Sequence, residues 1–327
     1  MSPLSQLLDF CNRRASPLLA AALFAGLLLP DLAHALRPLL APSVIILLTA
    51  TLLRIDWAQA LAYARKPGRA ALVVLWLLLG APLVMWAALR LVPLPESLGH
   101  ALLLMSSSPV LISVPTFALM LGLDAPLALV AMLATSLLQP LVHPPLALAL
   151  LGVELDIGIA PLMGRLGVFI GGAFALAILV RWKLGRERIE RAAGPIGGIA
   201  VVMLVVFGIA VMDGVTATLL ARPGHVLLFL AAAFAANFGL QAAGALAFCA
   251  LARLGIVDIR QGLTAGLASG NRNLAILIAV LGGAAGPDLT LYLAIGQFPM
   301  YLIPAVLGPV YRRLLRSPLN NSLSGEP

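Results

Sequence analysis

The chain consists mainly of long apolar runs separated by short segments rich in Arg, Asp, Glu, Gly and Pro. A helix needs about 20 largely apolar residues to cross the hydrocarbon core of a bilayer. On this criterion the pattern predicts ten membrane-spanning helices. Their approximate ranges are 15–32, 38–53, 70–89, 97–122, 125–151, 165–180, 195–212, 224–252, 261–283 and 289–311.

The distribution of charge agrees with this number of spans. If the amino terminus is cytoplasmic, the inner segments hold 16 of the 21 Lys and Arg residues, as the positive-inside rule requires. An error of one helix would exchange the sides of every later loop, so both termini are predicted to be cytoplasmic. The first span could also be interpreted as a signal peptide, because Arg13 and Arg14 precede it and Ala33-His34-Ala35 resembles a cleavage site.

Composition narrows the class of protein. Hydrophobic residues make up 61% of the chain and charged residues only 10%, whereas soluble domains usually carry about 25% charged residues. An integral membrane protein is therefore predicted, with anionic lipid headgroups as contacts of the basic inner loops. The two cysteines exclude a disulfide framework, and no spacing of Cys and His indicates a metal site. No sequence pattern indicates an enzyme, a cofactor or nucleic-acid binding.

The ten spans divide into two halves of five helices. The polar outer loop at 153–158 is the midpoint, which gives repeats of 1–153 and 154–327. Because five is odd, homologous halves would have opposite orientations, a design common in secondary transporters. The fourth and ninth spans both pass through a centre of small polar residues, and the spans after them place Gln139 before Pro140 and Gln297 before Pro299.

Both central segments predict an interrupted helix at the middle of the membrane. In the fourth span Pro109 lacks an N–H and follows three serines, and in the ninth span Gly270 precedes Asn271. Backbone groups freed by such a break are tolerated only where protein or a polar cavity satisfies them. Two breaks that cross would build a polar site in the membrane.

At these residues the chain resembles the bile acid:sodium symporter family. The shared features are the plan of five plus five helices, the fourth helix broken at Pro109, and the ninth helix broken at Asn271 ahead of Leu274-Ala275. The resemblance implies a panel of helices 1, 2, 6 and 7, and a core of helices 3–5 and 8–10. It also implies sodium-driven uptake of an organic anion by alternating access, in a bacterial inner membrane.

The chain departs from the family at the positions that would bind sodium. The family places Ser and Asn after the break in helix four, where this chain has Val114 and Pro115, and Ser and Thr in helix five, where it has Ala128 and Met132. No carboxylate lies between Asp258 and Asp288. Sodium-independent or proton-linked carriage of the auxin-efflux or arsenite type is therefore an alternative, although helix four lacks the cysteine of arsenite carriers.

Arg272 is the only charged residue between Arg260 and Asp288. A cation at the bilayer centre costs at least about 2.5–3.5 kcal/mol, so it needs a partner or a wet cavity. It could bind an anionic substrate, take the place of a sodium ion, or donate to carbonyls freed by the break. A non-transporting membrane sensor that retains the fold would have no need of such an arginine.

The breaks and the polar residues of the neighbouring spans define the predicted site. Substrate contacts are predicted for Asn271, Arg272, Asn273, Ser106, Ser107, Ser108, Pro109, Gln297, Gln139 and Asn237. Ion coupling could involve Ser269, Gly270 or His143, since histidine titrates near neutral pH. The structural alternatives are backbone capping for the serines and asparagines, an interhelical hydrogen bond between Asn237 and a neighbouring helix, and a packed neutral imidazole for His143.

Overall fold

The computed structural model describes residues 3–64, 67–151, 158–281 and 285–316. The described residues are helical and form no strand, apart from one isolated β-bridge. The predicted midpoint at 153–158 lies almost entirely outside them, as do Arg65 and Lys66. The helices are α1 (Pro3–Arg13), α2 (Ala15–Leu28), α3 (Pro30–Leu36), α4 (Leu40–Arg54), α5 (Trp57–Ala64), α6 (Pro67–Leu75), α7 (Ala81–Leu91), α8 (Glu96–Ser107), α9 (Val114–Leu121), α10 (Ala125–Leu151), α11 (Ile159–Leu184), α12 (Arg186–Arg191), α13 (Ala193–Ala210), α14 (Val215–Ala221), α15 (Pro223–Arg253), α16 (Ile259–Gly270), α17 (Leu274–Leu281), α18 (Pro287–Ile295) and α19 (Gln297–Arg316).

Six helices in the described part of the chain are long and apolar enough to cross a membrane. They are Pro30–Arg54, Gly68–Leu91, Ala125–Leu150, Ile159–Leu184, Ala193–Ala221 and Pro223–Arg253. A seventh span results if the bent pair Pro287–Leu302 and Leu307–Leu315 is taken as one. The prediction of an all-helical membrane protein is confirmed, and the number of ten spans stays a prediction. Two of the predicted spans, 97–122 and 261–283, are divided into short helices by their interruptions.

The helices form two compact units. The first comprises Met1–Asp56, Asp156–Leu230 and Ala275–Tyr301. Its buried centre is α13, which packs against α1, α2 and α4. Ion pairs lie at its polar edges: the carboxylate of Asp213 accepts from the guanidinium of Arg37 at 3.1 Å, and His225 pairs with Asp288 at 2.9 Å.

The second unit comprises Trp57–Leu155, Ala231–Leu274 and Leu302–Pro327, and it contains the whole break of the fourth span and the residues that follow α16. Helix α10 packs against α5, α8, α9 and α16. A polar cluster at Asp124, the residue before α10, involves side chains of α5 and α16. The hydroxyl of Tyr63 donates to the carboxylate of Asp124 at 2.8 Å, and the amide of Gln261 donates to both. Burial and the neighbouring carboxylate raise the pKa of Tyr63, so the phenol stays a donor.

The two interrupted spans have matching lengths. Helix α8 has 12 residues and α9 has 8, while α16 has 12 and α17 has 8. Both interruptions follow from local sequence: Pro109 cannot continue α8, and Asn271, which has an extended backbone conformation, ends α16.

Candidate functional site

The serines at the end of α8 satisfy the backbone of that helix. The hydroxyls of Ser106 and Ser108 donate to the carbonyls of Leu103 and Leu104, each at 2.8 Å. Such bonds to carbonyls three or four residues earlier are typical of serine in apolar helices. These hydroxyls therefore hydrogen-bond to the backbone at the carboxyl end of α8. Such capping was the structural alternative to substrate contact for the serines.

The two interruptions pair with each other. Val110 and Arg272 form an antiparallel bridge; the N–H of Leu111 donates to the carbonyl of Asn271 at 2.9 Å, and the N–H of Asn273 donates to the carbonyl of Pro109 at 2.7 Å. Both broken segments thus use each other to satisfy backbone groups that the membrane interior would leave unpaired. We call residues 106–111 and 269–273 together the crossover.

The guanidinium of Arg272 lies at the centre of the crossover and is fully buried, with 0% exposure. Its Nε donates to the carbonyl of Ser269 at 2.8 Å, and its Nη1 donates to the carbonyls of Leu77 and Ser108, each at 3.0 Å. None of the ion pairs found among the described residues involves this side chain. Carbonyl dipoles therefore compensate the charge.

The carbonyl of Leu77 is available because the helix around it is irregular. Trp76–Gly80 is a π-helical segment, in which the N–H of Ala81 donates to the carbonyl of the segment's first residue. In the same pattern the next N–H would reach Leu77, but the next residue is Pro82, which has none. This free carbonyl accepts from Arg272 instead. Leu77 was not among the predicted site residues, although a proline inside an apolar helix could have indicated a free carbonyl nearby.

A polar stripe on α10 lies beside the broken end of α8. Thr135, Gln139 and His143 follow one another at intervals of four, so they share one helix face. The N–H of Val110 donates to the hydroxyl of Thr135 at 3.1 Å, and the Ser107 hydroxyl is 2.9 Å from Nδ1 of His143. The sequence analysis missed Thr135, which the spacing to Gln139 and His143 could have indicated.

The amide of Asn237 is used inside the protein. It donates to the carbonyl of Gly270 at 2.7 Å and accepts from the amide of Gln241 at 2.7 Å. The Gln241 amide accepts in turn from the hydroxyl of Tyr311 at 3.1 Å. This chain of bonds joins α19, α15 and the end of α16. Asn237 thus makes an interhelical hydrogen bond, which was the structural alternative to substrate contact for this residue.

Two further predicted residues have partners of their own. The side chain of Asn271 donates to the carbonyl of Leu267 at 2.7 Å, which closes the end of α16. Gln297 belongs to the first unit, where its side chain donates to the carbonyl of Leu293 at 3.2 Å.

Several buried polar atoms have no hydrogen-bond partner among the described residues. They are Nε2 and Oε1 of Gln139, Nε2 of His143, Nη2 of Arg272, and Nδ2 and Oδ1 of Asn273. Each such atom costs about 1–3 kcal/mol if nothing pairs with it. All four residues belong to the second unit, and His143 and Arg272 are both bonded to the end of α8.

Residues 41–222 match the Sodium Bile acid symporter family over more than half of the chain. The chain belongs to this family. The predicted resemblance is thereby confirmed, and the matched region includes the break at Pro109 but ends before Arg272. Members of the family are transporters rather than enzymes, so this is a multi-pass membrane protein with a transporter fold. A comparison with curated proteins found no match.

The crossover of this family member does not fit a sodium ion. Sodium would need a set of oxygen ligands, but the three carbonyls that converge there already accept from Arg272. The charge of the guanidinium would also repel a second cation at this distance.

If the Leu77 carbonyl accepts from Arg272 because Pro82 has no N–H, the effects of substituting Arg272 and Pro82 should not be additive in a double-mutant cycle. Pro82→Ala supplies an N–H that can donate to the carbonyl of Leu77, so the loss of Arg272 should leave fewer carbonyls unpaired. We expect Arg272→Ala to cost about 1 kcal/mol less in the Pro82→Ala background than in the native chain. Thermal unfolding of the four purified proteins measures this coupling, and strictly additive effects would contradict the assignment.

Proposed function

We propose that this family member is a secondary active transporter that moves a small organic anion across the membrane by alternating access. Family membership supports transport in general. An anionic cargo is supported by the second unit, where Gln139, Arg272 and Asn273 are buried and offer donors without a partner among the described residues.

The unpartnered donors are the observation that carries the proposal. A guanidinium nitrogen and two carboxamide nitrogens are suited to carboxylate or sulfonate oxygens, because charge-assisted hydrogen bonds are stronger than neutral ones. An anionic ligand would accept from these donors, including Nη2 of Arg272, which makes no bond to the carbonyls that compensate the charge. The Ser106–Pro109 segment and Asn271 would position this site through the backbone bonds of the crossover.

The proposed architecture is ten spans in two inverted repeats, 1–153 and 154–327, with both termini in the cytoplasm. The equal lengths of α8 with α16 and of α9 with α17 support a repeat, as does the antiparallel pairing of Val110 with Arg272. We also propose a panel of helices 1, 2, 6 and 7 and a core of helices 3–5 and 8–10. The first compact unit contains predicted helices 1, 2, 6 and 7, but it also contains residues 275–301 of predicted helices 9 and 10. A bacterial inner membrane is the proposed location.

Proton-linked carriage is a second candidate for the energy source. His143 is buried beside the end of α8, its Nδ1 is paired with Ser107, and its Nε2 has no partner among the described residues. An imidazole with one free nitrogen can take up and release a proton during each transport cycle. Uptake driven by a pH gradient and lost in His143→Phe would support this candidate.

Uptake into liposomes that contain the purified protein tests the anion proposal. We expect a labelled carboxylate or sulfonate to accumulate, and Gln139→Leu to reduce kcat/KM about tenfold or more, since an unmade hydrogen bond to a charged ligand costs at least about 1.4 kcal/mol. Arg90→Ala is the control, because Arg90 stacks on Trp86 at 4.9 Å and takes no part in the crossover. Equal losses in both variants, or preference for cationic or neutral cargo, would refute the proposal.

A further inference from the structure

We infer that Arg272 is a tethered cation that fills a carbonyl-lined cation site in the crossover, so that this chain transports without coupling to sodium or another monovalent metal ion. The inference rests on the proposed function for its transport part. Its structural part depends only on the guanidinium and the carbonyls around it.

The three carbonyls come from three separate helical segments. Ser269 is in the last turn of α16, Ser108 caps the carboxyl end of α8, and Leu77 lies in the π-helical segment. Carbonyls at these places have no N–H partner within their own helix. Oxygens that converge in this way replace the hydration shell of a monovalent cation in other membrane proteins, and here a guanidinium takes that position.

Electrostatics gives the same result. The carboxyl end of a helix carries about −0.5 of an elementary charge, so the ends of α8 and α16 together present about −1 to the site. The guanidinium supplies +1 at hydrogen-bonding distance from both ends. The partial negative charge of the two helix ends is therefore already balanced, and a further cation would not be attracted to the site.

The nitrogens of the Arg272 guanidinium have two different roles. Nε and Nη1 make all the bonds to carbonyls, whereas Nη2 has no partner among the described residues. A single side chain can therefore hold the two broken helices together and still offer one nitrogen to an anionic ligand. A sodium ion in the same position could not donate a hydrogen bond.

Chemical rescue tests the tethered cation. We expect Arg272→Ala to lower the unfolding temperature of the purified full chain by on the order of 10 °C, since buried carbonyls and helix ends lose their cation. Millimolar guanidinium or sodium should restore part of this loss with saturation, because either cation can enter the vacated space. The native protein should show no such response to either cation.

Arg181→Ala is the matched control. Arg181 also donates to carbonyls, those of Leu53 and Ile55 at 3.4 Å, but it lies in the first unit and at the end of α11. We expect no saturable rescue of this variant by guanidinium. Equal rescue of both variants, or none of Arg272→Ala, would overturn the inference.

The transport part is tested by replacing sodium with choline on both sides of the liposomes. Native uptake of the labelled anion should not change, and a requirement for sodium would overturn the inference. If Arg272→Ala does not fold, Arg272→Lys can be used instead, because it keeps a tethered positive charge. Its uptake of the anion should also be independent of sodium, and a sodium requirement in this variant would overturn the inference. Cation rescue without any anion uptake would refute the proposed function but leave the tethered cation intact.

Discussion

Replacing Gly270 with alanine is expected to cause the largest loss of folded protein of any single methyl addition near the crossover. A Cβ at this position would overlap the backbone carbonyl of Asn237 and approach the side chain of Gln241 at 2.6 Å. Backbone cannot move aside as a flexible side chain can, so α15 and α16 would have to separate. Overpacking of this kind typically costs about 1–3 kcal/mol, and here it would also break the bond from Asn237 to the Gly270 carbonyl.

The same substitution at Gly239 provides the control for Gly270→Ala. Gly239 lies within α15, and a Cβ there meets no atom of the described residues within 4 Å. Because glycine inside a helix is less stable than alanine by roughly 0.5–1 kcal/mol, Gly239→Ala should preserve or raise the unfolding temperature. Size-exclusion profiles and thermal unfolding in detergent distinguish the two, and equal stability of both variants would contradict the close contact of α15 with α16.

The second large effect is an opposite response of two buried asparagines to the same change. Asn237→Leu should lower stability by about 1–3 kcal/mol, because the carbonyl of Gly270 and the amide of Gln241 lose their partner in an apolar surrounding. Asn273→Leu should be neutral or stabilising, because neither polar atom of Asn273 has a partner among the described residues. Leucine has the same number of side-chain heavy atoms and the same branch point as asparagine, and its larger methyl groups add the same volume in both variants, so the comparison isolates the lost polar groups.

Uptake measurements provide a second distinction between the roles of Asn237 and Asn273. Asn273→Leu is expected to raise KM for the anion while the protein remains folded, since the proposed ligand loses a donor. Measured together, unfolding temperature and KM identify which asparagine supports the fold and which supports binding. A large loss of stability in Asn273→Leu would show that its amide has a structural partner, and the site would then lose one of its donors.

The interruptions could be predicted from the sequence because their causes are local. Pro109 cannot donate within a helix, and the serines at Ser106–Ser108 supply hydroxyls that can satisfy the backbone beside a break. The buried position of Arg272 was also predictable, because it is the only charged residue between Arg260 and Asp288. Family membership followed from these features and is confirmed.

The roles of individual polar groups were not predictable in this way. Asn237 and Asn273 are both asparagines in apolar runs, yet both side-chain polar atoms of Asn237 are paired, and neither of those of Asn273 is paired among the described residues. Thr135 was overlooked because its partner is a backbone N–H of another segment. Such partners depend on which helices meet, which hydropathy does not specify.

The amino-acid sequence alone indicates a helical membrane protein of this family with two broken helices and a buried arginine at the second break. These properties follow from apolar length, from proline and glycine, and from the cost of a charge in lipid. The partners of this arginine depend on how the helices pack, because its carbonyl acceptors at Ser108 and Leu77 are 164 and 195 positions away along the chain. A guanidinium binds whichever oxygens the packing of helices leaves without a donor, and that is a property of the folded chain.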